Sequence, residues 1–436
     1  MKQIRKYVIL LLLVQSAFVQ GQKATVDSLT LSGILNSVLS DYPSLKRAEK
    51  ELVSADAKID LTKTAYLPDV NFSTSYNRIG PVTTIIFSGK HLQLYPENVY
   101  NAAFTISQNI YDFGKTAKNV NLSEEGKQLV RLTVEQIKQQ LSMGVMANFY
   151  TICYLQEAIQ IKDDQLNTLN EHLQFVQKKA DSGSATQYDI LTTKVRMSTL
   201  ENQKTDLQTS LQIFQSQLNS FLGKPLGSSH LLKKEIQLEQ FLPAVDSLCN
   251  QAFVNRNEMK IALQKESIAK LRLNAIKVQN NPSLNFNAAG GFKNGYLNSD
   301  YEDVGKLNFS VGVGLKVPIF DANRSKYNKI QTNADLEGLQ QETELLRRNI
   351  TNEIVESRAN AEAALKKVKQ SELQQQQAMQ AYNQAEISYK SGTITNLDLL
   401  DSYTAVSESK LMLFKTKIDY TVNLQKLKIA VGERIY

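Results

Sequence analysis

The sequence predicts an α+β fold, mostly α, built from two copies of one helix–strand–strand–long helix–helix unit. Three observations predict it. Landmarks recur at one constant offset. Four short segments alternate apolar and polar residues. Two long stretches, 115–181 and 325–391, lack proline entirely.

The duplication comes first, because a missed repeat misassigns the whole fold. Ile110-Tyr111-Asp112 matches Ile319-Phe320-Asp321, and 319 − 110 = 209. Ser182-Gly183 matches Ser391-Gly392 at the same offset, as do Asp189 and Leu191 with Asp398 and Leu400, and Gly223 with Gly432. Upstream, Leu67-Pro68-Asp69-Val70-Asn71-Phe72 matches Asn281-Pro282-Ser283-Leu284-Asn285-Phe286, and 281 − 67 = 214. The difference of five falls in the loop between the two strands of each half.

The strands show period-two alternation. Val70, Phe72 and Tyr76 alternate with Asn71, Ser73, Ser75 and Asn77. Ala102, Phe104, Ile106 and Ile110 alternate with Asn101, Thr105, Ser107 and Asn109. Leu284, Phe286 and Ala288 stand against Asn285 and Asn287; Leu307, Phe309, Val311, Val313 and Leu315 stand against Asn308, Ser310, Gly312, Gly314 and Lys316. Such strands fit lipid on one face and water on the other, and equally an ordinary half-buried sheet.

The proline-free stretches predict two helices of roughly 100 Å at 1.5 Å per residue. Leu166, Leu169, Leu173, Val176 and Ala180 step by 3 and 4, the spacing of a coiled coil. Gly183 and Gly392 follow them, where a helix end needs positive φ. Shorter helices return over 186–222 and 395–431. Another short helix precedes each first strand, over 31–66 and 245–280, and 224–244 joins the halves.

Lys2, Arg5 and Lys6 precede the apolar run Tyr7–Val14, which predicts a cleaved signal peptide over 1–21. Removing those three cations leaves 47 basic against 43 acidic residues, a net charge of +4. Without a clustered basic face this excludes nucleic acid. No later apolar stretch reaches the ~18 residues of a membrane helix, so any membrane entry must use strands. Cys153 and Cys249 sit in helical apolar patterns and are expected as buried free thiols. His91, His172 and His230 lack ligand spacing. No Ser-His-Asp arrangement or phosphate-binding glycine loop occurs. Neither an enzyme nor a metal or other cofactor is expected.

Four strands cannot close a membrane barrel, since single-chain bacterial barrels start at about eight. An open sheet cannot sit in lipid with unpaired edges. Several chains must then share one barrel, with the long helices projecting from it.

The junctions Tyr111-Asp112-Phe113-Gly114-Lys115 and Pro318-Ile319-Phe320-Asp321-Ala322-Asn323-Arg324 resemble the paired signature of the TolC outer membrane efflux protein family. The turns Ser182-Gly183-Ser184-Ala185-Thr186 and Ser391-Gly392-Thr393-Ile394-Thr395 resemble its periplasmic tips. The resemblance covers about 30–432. It implies a homotrimer with a 12-stranded β-barrel in outer-membrane lipid, continued by a helical coiled-coil tunnel through the periplasm. It implies partners as well, a periplasmic adaptor protein and an inner-membrane transporter, and the role of exit duct for efflux or type I secretion. By the same resemblance the units are a first repeat, 22–223, an equatorial linker, 224–244, and a second repeat, 245–436.

The resemblance also assigns residues. Asp398 and Asp401 match the acidic entrance constriction, although Thr395 and Asp398 read equally as a helix-capping pair. Asp189 and Tyr389 match the two partners of a hydrogen-bonded latch. Ile394 departs from the family, some of whose members carry a latching arginine there. The tips Gly183, Ser184, Ala185, Thr186, Gly392, Thr393, Ile394 and Thr395 are the expected adaptor contacts; a tight turn would need glycine and small polar residues anyway. Loops at about 80–98 and 294–305, with Tyr296, Asp300, Tyr301, Glu302 and Asp303, are expected at the cell surface. The competing reading is a secreted periplasmic coiled-coil interaction protein without a channel.

Overall fold

The computed structural model describes residues 29–435 apart from 88, 235, 237–242 and 299–301. The expected signal peptide, Asp300 and Tyr301 lie outside the described residues.

Each half follows one order. Helices α1 (Leu31–Asp41) and α2 (Pro43–Lys63) lead into strand β1 (Asp69–Arg78). A small hairpin, β2 (Thr84–Phe87) and β3 (Lys90–Gln93), separates β1 from β4 (Asn98–Tyr111). Helix α3 (Lys115–Asp181) runs for 67 residues and α4 (Gln187–Leu222) returns for 36. The second half repeats this with α5 (Val245–Asn255), α6 (Asn257–Val278), β5 (Ser283–Leu297) and β6 (Asp303–Lys316). It closes with α7 (Arg324–Lys390), again 67 residues, and α8 (Asn396–Val431), again 36.

Three expectations needed correction. The single helices expected over 31–66 and 245–280 are each two. Pro43 denies its predecessor the helical region, so Tyr42 sits at φ −65°, ψ 129° and breaks the first. Arg256 takes nearly the same conformation, φ −63°, ψ 134°, without a proline. Its side chain explains the break: the guanidinium is buried and donates to Glu353 Oε2 (2.6 Å), Glu258 Oε2 (3.2 Å) and Ala430 O (3.4 Å). The expected loop over 80–98 contains the β2–β3 hairpin, and the strands flanking 294–305 extend into that loop.

The four long strands form one antiparallel sheet in the order β1-β4-β5-β6. Its register gathers Val70, Phe72, Phe104, Ile106, Phe286 and Phe309 on one face. Phe72 sits opposite Phe104 with ring centroids 4.8 Å apart, and Tyr76 opposite Tyr100 at 5.1 Å. Buried Asn294, at a bulge in β5, pins that register. It donates to Asn98 O and Asp303 Oδ2, each at 2.7 Å, and accepts from Tyr100 N at 2.7 Å.

The core lies midway along the long helices. Val145, Met146, Phe149, Ile152 and Cys153 of α3 meet Ile34, Leu35 and Val38 of α1, with Leu218, Leu232 and Ile418. The second-half counterpart joins Ile350 and Ile354 of α7 to Leu248, Cys249, Met259, Leu427 and Val431. Both cysteines are buried free thiols, as expected. Leu232 joins this girdle, where it forms a parallel bridge with Leu29.

Candidate functional site

Three regions carry the expected site residues: the two tips, the two strand–helix junctions and the sheet.

The tips are built alike. After α3, Gly183 adopts φ +77°, its N–H bonds Ala180 O at 2.9 Å, and Ser184 N bonds Lys179 O at 2.7 Å. After α7, Gly392 adopts φ +78°, with Gly392 N on Tyr389 O at 3.1 Å and Thr393 N on Ser388 O at 2.9 Å. Both are helix ends whose last carbonyls are satisfied by the reversing chain. A reciprocal cap then starts each return helix. Thr186 N donates to Asp189 Oδ2 at 2.9 Å while Asp189 N donates to Thr186 Oγ1 at 3.2 Å. Thr395 and Asp398 repeat this at 2.9 and 3.3 Å. Hydrogen bonds from Thr395 hold the Asp398 carboxyl below its ordinary range. Ser184, Thr186, Thr393 and Thr395 are exposed at the extremity, and Ala185 and Ile394 half-buried.

Within the chain Asp189 and Tyr389 lie close but make no hydrogen bond to each other. The Asp189 carboxylate is occupied by Thr186. The Tyr389 ring is buried against His172 (5.6 Å between centroids) and Phe175 (6.3 Å), with Lys179 Nζ 4.6 Å from its centre. The groove between the tips is bridged instead by His172 and Asn396. His172 Nε2 lies 2.6 Å from Asn396 Oδ1, and the Asn396 amide donates to Asp189 O (3.2 Å) and Thr193 Oγ1 (3.3 Å). Burial pushes the His172 pKa down, against the pull of the Asn396 bond. Asp401, a turn beyond Asp398, is ion-paired with Arg196 of α4. That pair ties the return helix of one half to that of the other.

The junctions are also twins. Asp112 accepts from Thr116 N (2.7 Å) and Gly114 N (3.1 Å) across Phe113 and Gly114, which adopt φ +53° and +90°. Asp321 accepts from Ser325 N (3.0 Å) and Asn280 Nδ2 (2.6 Å) across Ala322 and Asn323, at φ +54° and +61°. Burial pushes Asp112 up, but its hydrogen bonds outweigh that and hold it low; Asp321 is held well below the carboxylate range by Ser325 and Asn280. Lys115 and Arg324 open the long helices here, and Pro318 ends the strand side of the second junction.

The apolar face of the sheet is open to its surroundings. Leu307 and Phe309 are 86% and 85% exposed, and Phe72, Phe104, Val311, Val313 and Leu315 are exposed too. A soluble monomer rarely bares so large a contiguous apolar patch. No helix among the described residues is long and apolar enough to cross a membrane.

The profile of the outer membrane efflux protein family matches residues 34–224 and 248–433. The chain belongs to that family. It is 18% identical over 399 residues to outer membrane protein TolC of Escherichia coli K12, covering 89% of this chain and 79% of that one. It is 20% identical over 415 residues to nodulation protein T of Rhizobium leguminosarum bv. trifolii, covering 92% and 85%. Among solved structures, the CmeC outer membrane channel of Campylobacter jejuni superposes with a TM-score of 0.75 at 15% identity, covering 92% and 85%.

As a member of this efflux family the protein is an outer-membrane channel-tunnel protomer, the exit duct of an efflux or secretion system. It is an outer-membrane protein whose helices extend into the periplasm. Asn396, Arg196 and Arg256 escaped the sequence reading, which named His172 only as a histidine without ligand spacing. The repeat search favours positions the halves share. Arg196 corresponds to Ala405 and Asp401 to Thr192, so this cross-tip pair has no echo at offset 209.

Proposed function

We propose that three copies of this chain close one 12-stranded barrel and stack their helices into a tunnel. The observation carrying this is the open sheet. β1 and β6 are edges with no further strand partner among the described residues, yet they belong to a sheet with a lipid-type face. Bare edges are untenable in lipid, and three sheets joined edge to edge leave none. Residues 1–21 direct export, 22–223 and 245–436 form the two repeats, and 224–244 is the equatorial linker.

The tips form the tunnel entrance. Gly183 to Thr186 and Gly392 to Thr395 contact a periplasmic adaptor protein, which couples the tunnel to an inner-membrane transporter. Asp398 presents an exposed carboxylate ring that favours cations and narrows the pore. Asp401 serves there as the partner of Arg196. Asp189 and Tyr389 hold the tip in shape, through the cap and the aromatic contacts described above. The cargo is a small molecule or a protein delivered by that transporter.

Single-channel recording from detergent-extracted protein tests this. We expect a small, cation-favouring conductance at the entrance, raised in an Asp398→Ala/Asp401→Ala double variant. A conductance indifferent to both substitutions makes Asp398 a helix cap alone. Absence of conductance from folded, membrane-extracted protein overturns the barrel.

A further inference from the structure

The polar face of the sheet is not uniform along its length. At the helix end it carries one charge of each sign, Asp69 and Lys316. The row at Asn71 and Thr105, and the next, at Ser73 and Asn308, contain only hydroxyl, amide and small side chains. The following row towards the loops, at Ser75 and Asn101, ends in Lys293 directly opposite Lys306. Both lysines are exposed. Like charges facing each other across two strands destabilise a sheet. Here the repulsion sits beyond two rows that carry no charge.

Among the described residues, the neighbouring acids are engaged elsewhere. Glu97 pairs with Arg78 at 3.6 Å. Asp303 accepts from Asn294 Nδ2 and Gly295 N at 2.7 and 2.6 Å, and Glu302 accepts from Asn298 Nδ2 at 3.2 Å. Lys306 Nζ lies 5.9 Å from the centre of the Tyr296 ring, its one partner among the described residues. A local rule broken without a local gain points to function.

We propose that Lys293 and Lys306 form a basic ring just inside the outer mouth of the channel, which selects for anions and eases the exit of anionic cargo. The ring rests on the three-chain barrel and would hold two lysines from each chain. A charged rim on low-dielectric walls concentrates counter-ions in the passage. The exposed Asp398 at the far end carries the opposite sign, so the two ends of the duct filter different ions.

The test is the reversal potential of the full-length protein in a planar bilayer under a KCl gradient. In Lys293→Gln/Lys306→Gln the chloride-to-potassium permeability ratio should fall about threefold or more near 0.1 M salt, where the Debye length is ~10 Å. The difference should shrink near 1 M salt, where it is ~3 Å. Lys293→Arg/Lys306→Arg should keep the wild-type ratio, which separates charge from packing. Removing the repulsion should leave the Gln variant at least as heat-stable as wild type. An unchanged ratio at low salt in a conducting Gln variant overturns the lysine filter and leaves the barrel standing. No conductance from any folded form overturns both.

Discussion

His172 and Gly432 show how much rests on single residues. His172 is half-buried beside the tip, facing Lys179, Asp189 and Tyr389, and burial lowers its pKa. Its folded pKa lies below its unfolded value of about 6.5. The stability it contributes is therefore present above that value and is lost as pH falls below it. Protection factors of the amides around Tyr389 to Leu400, corrected for the pH dependence of intrinsic exchange, should fall on acidification below about pH 6.5, and His172→Gln should flatten that dependence. Gly432 sits at φ +92°, and an added Cβ would lie 2.7 Å from Arg256 N. Gly432→Ala meets both strain and a backbone clash, and should cost more than ~1 kcal/mol in denaturant unfolding. The glycine was legible in the sequence as a repeat landmark. Its neighbour Arg256 was not, because a cation on a helical stripe does not announce that it will be buried.

At the scale of the element, helix starts and helix breaks decide the geometry. The junction carboxylates Asp112 and Asp321 are held below their ordinary pKa by hydrogen bonds from the first helical turn. Their stabilisation is present above the unfolded carboxylate value of about 4 and is lost as pH falls through the folded values. Asp112→Asn/Asp321→Asn should give a shallower acid-unfolding slope and lower stability at neutral pH. The break between α5 and α6 depends on Arg256 bridging Glu353 and the Ala430 carbonyl. Both glutamates are partly exposed, so Arg256→Ala should cost about 2 kcal/mol, less than a wholly buried pair; calorimetry on the extracted protein would measure it. The ends of the long helices were readable from Gly183 and Gly392 and the caps beyond. The split of α5 from α6 was not, since no proline marks it.

For the whole molecule, the sheet face is the decisive surface. Phe309 lies mid-strand in β6 and is almost fully open. Phe309→Arg should disfavour the membrane-inserted state by about 2–4 kcal/mol per chain, which outer-membrane fractionation would show as loss of assembled protein. The same substitution at Asn308, on the polar face, should leave assembly largely intact. This contrast would fail if both faces met water.

Much of this protein was set by local, periodic constraints that a linear sequence displays directly. Two 67-residue helices, two tip turns and the alternating strands follow from absent prolines, placed glycines and period-two patterning. The register that aligns Phe72 with Phe104 follows from keeping one face apolar. Tertiary structure alone decided which side chains meet across the halves. Arg196 meets Asp401 and His172 meets Asn396 over separations of 205 and 224 residues. Lys293 faces Lys306 only once a bulge has set the strands in register. Such pairs depend on how helices and strands pack in space, and a duplicated sequence obscures them, because they occupy positions where its two copies differ.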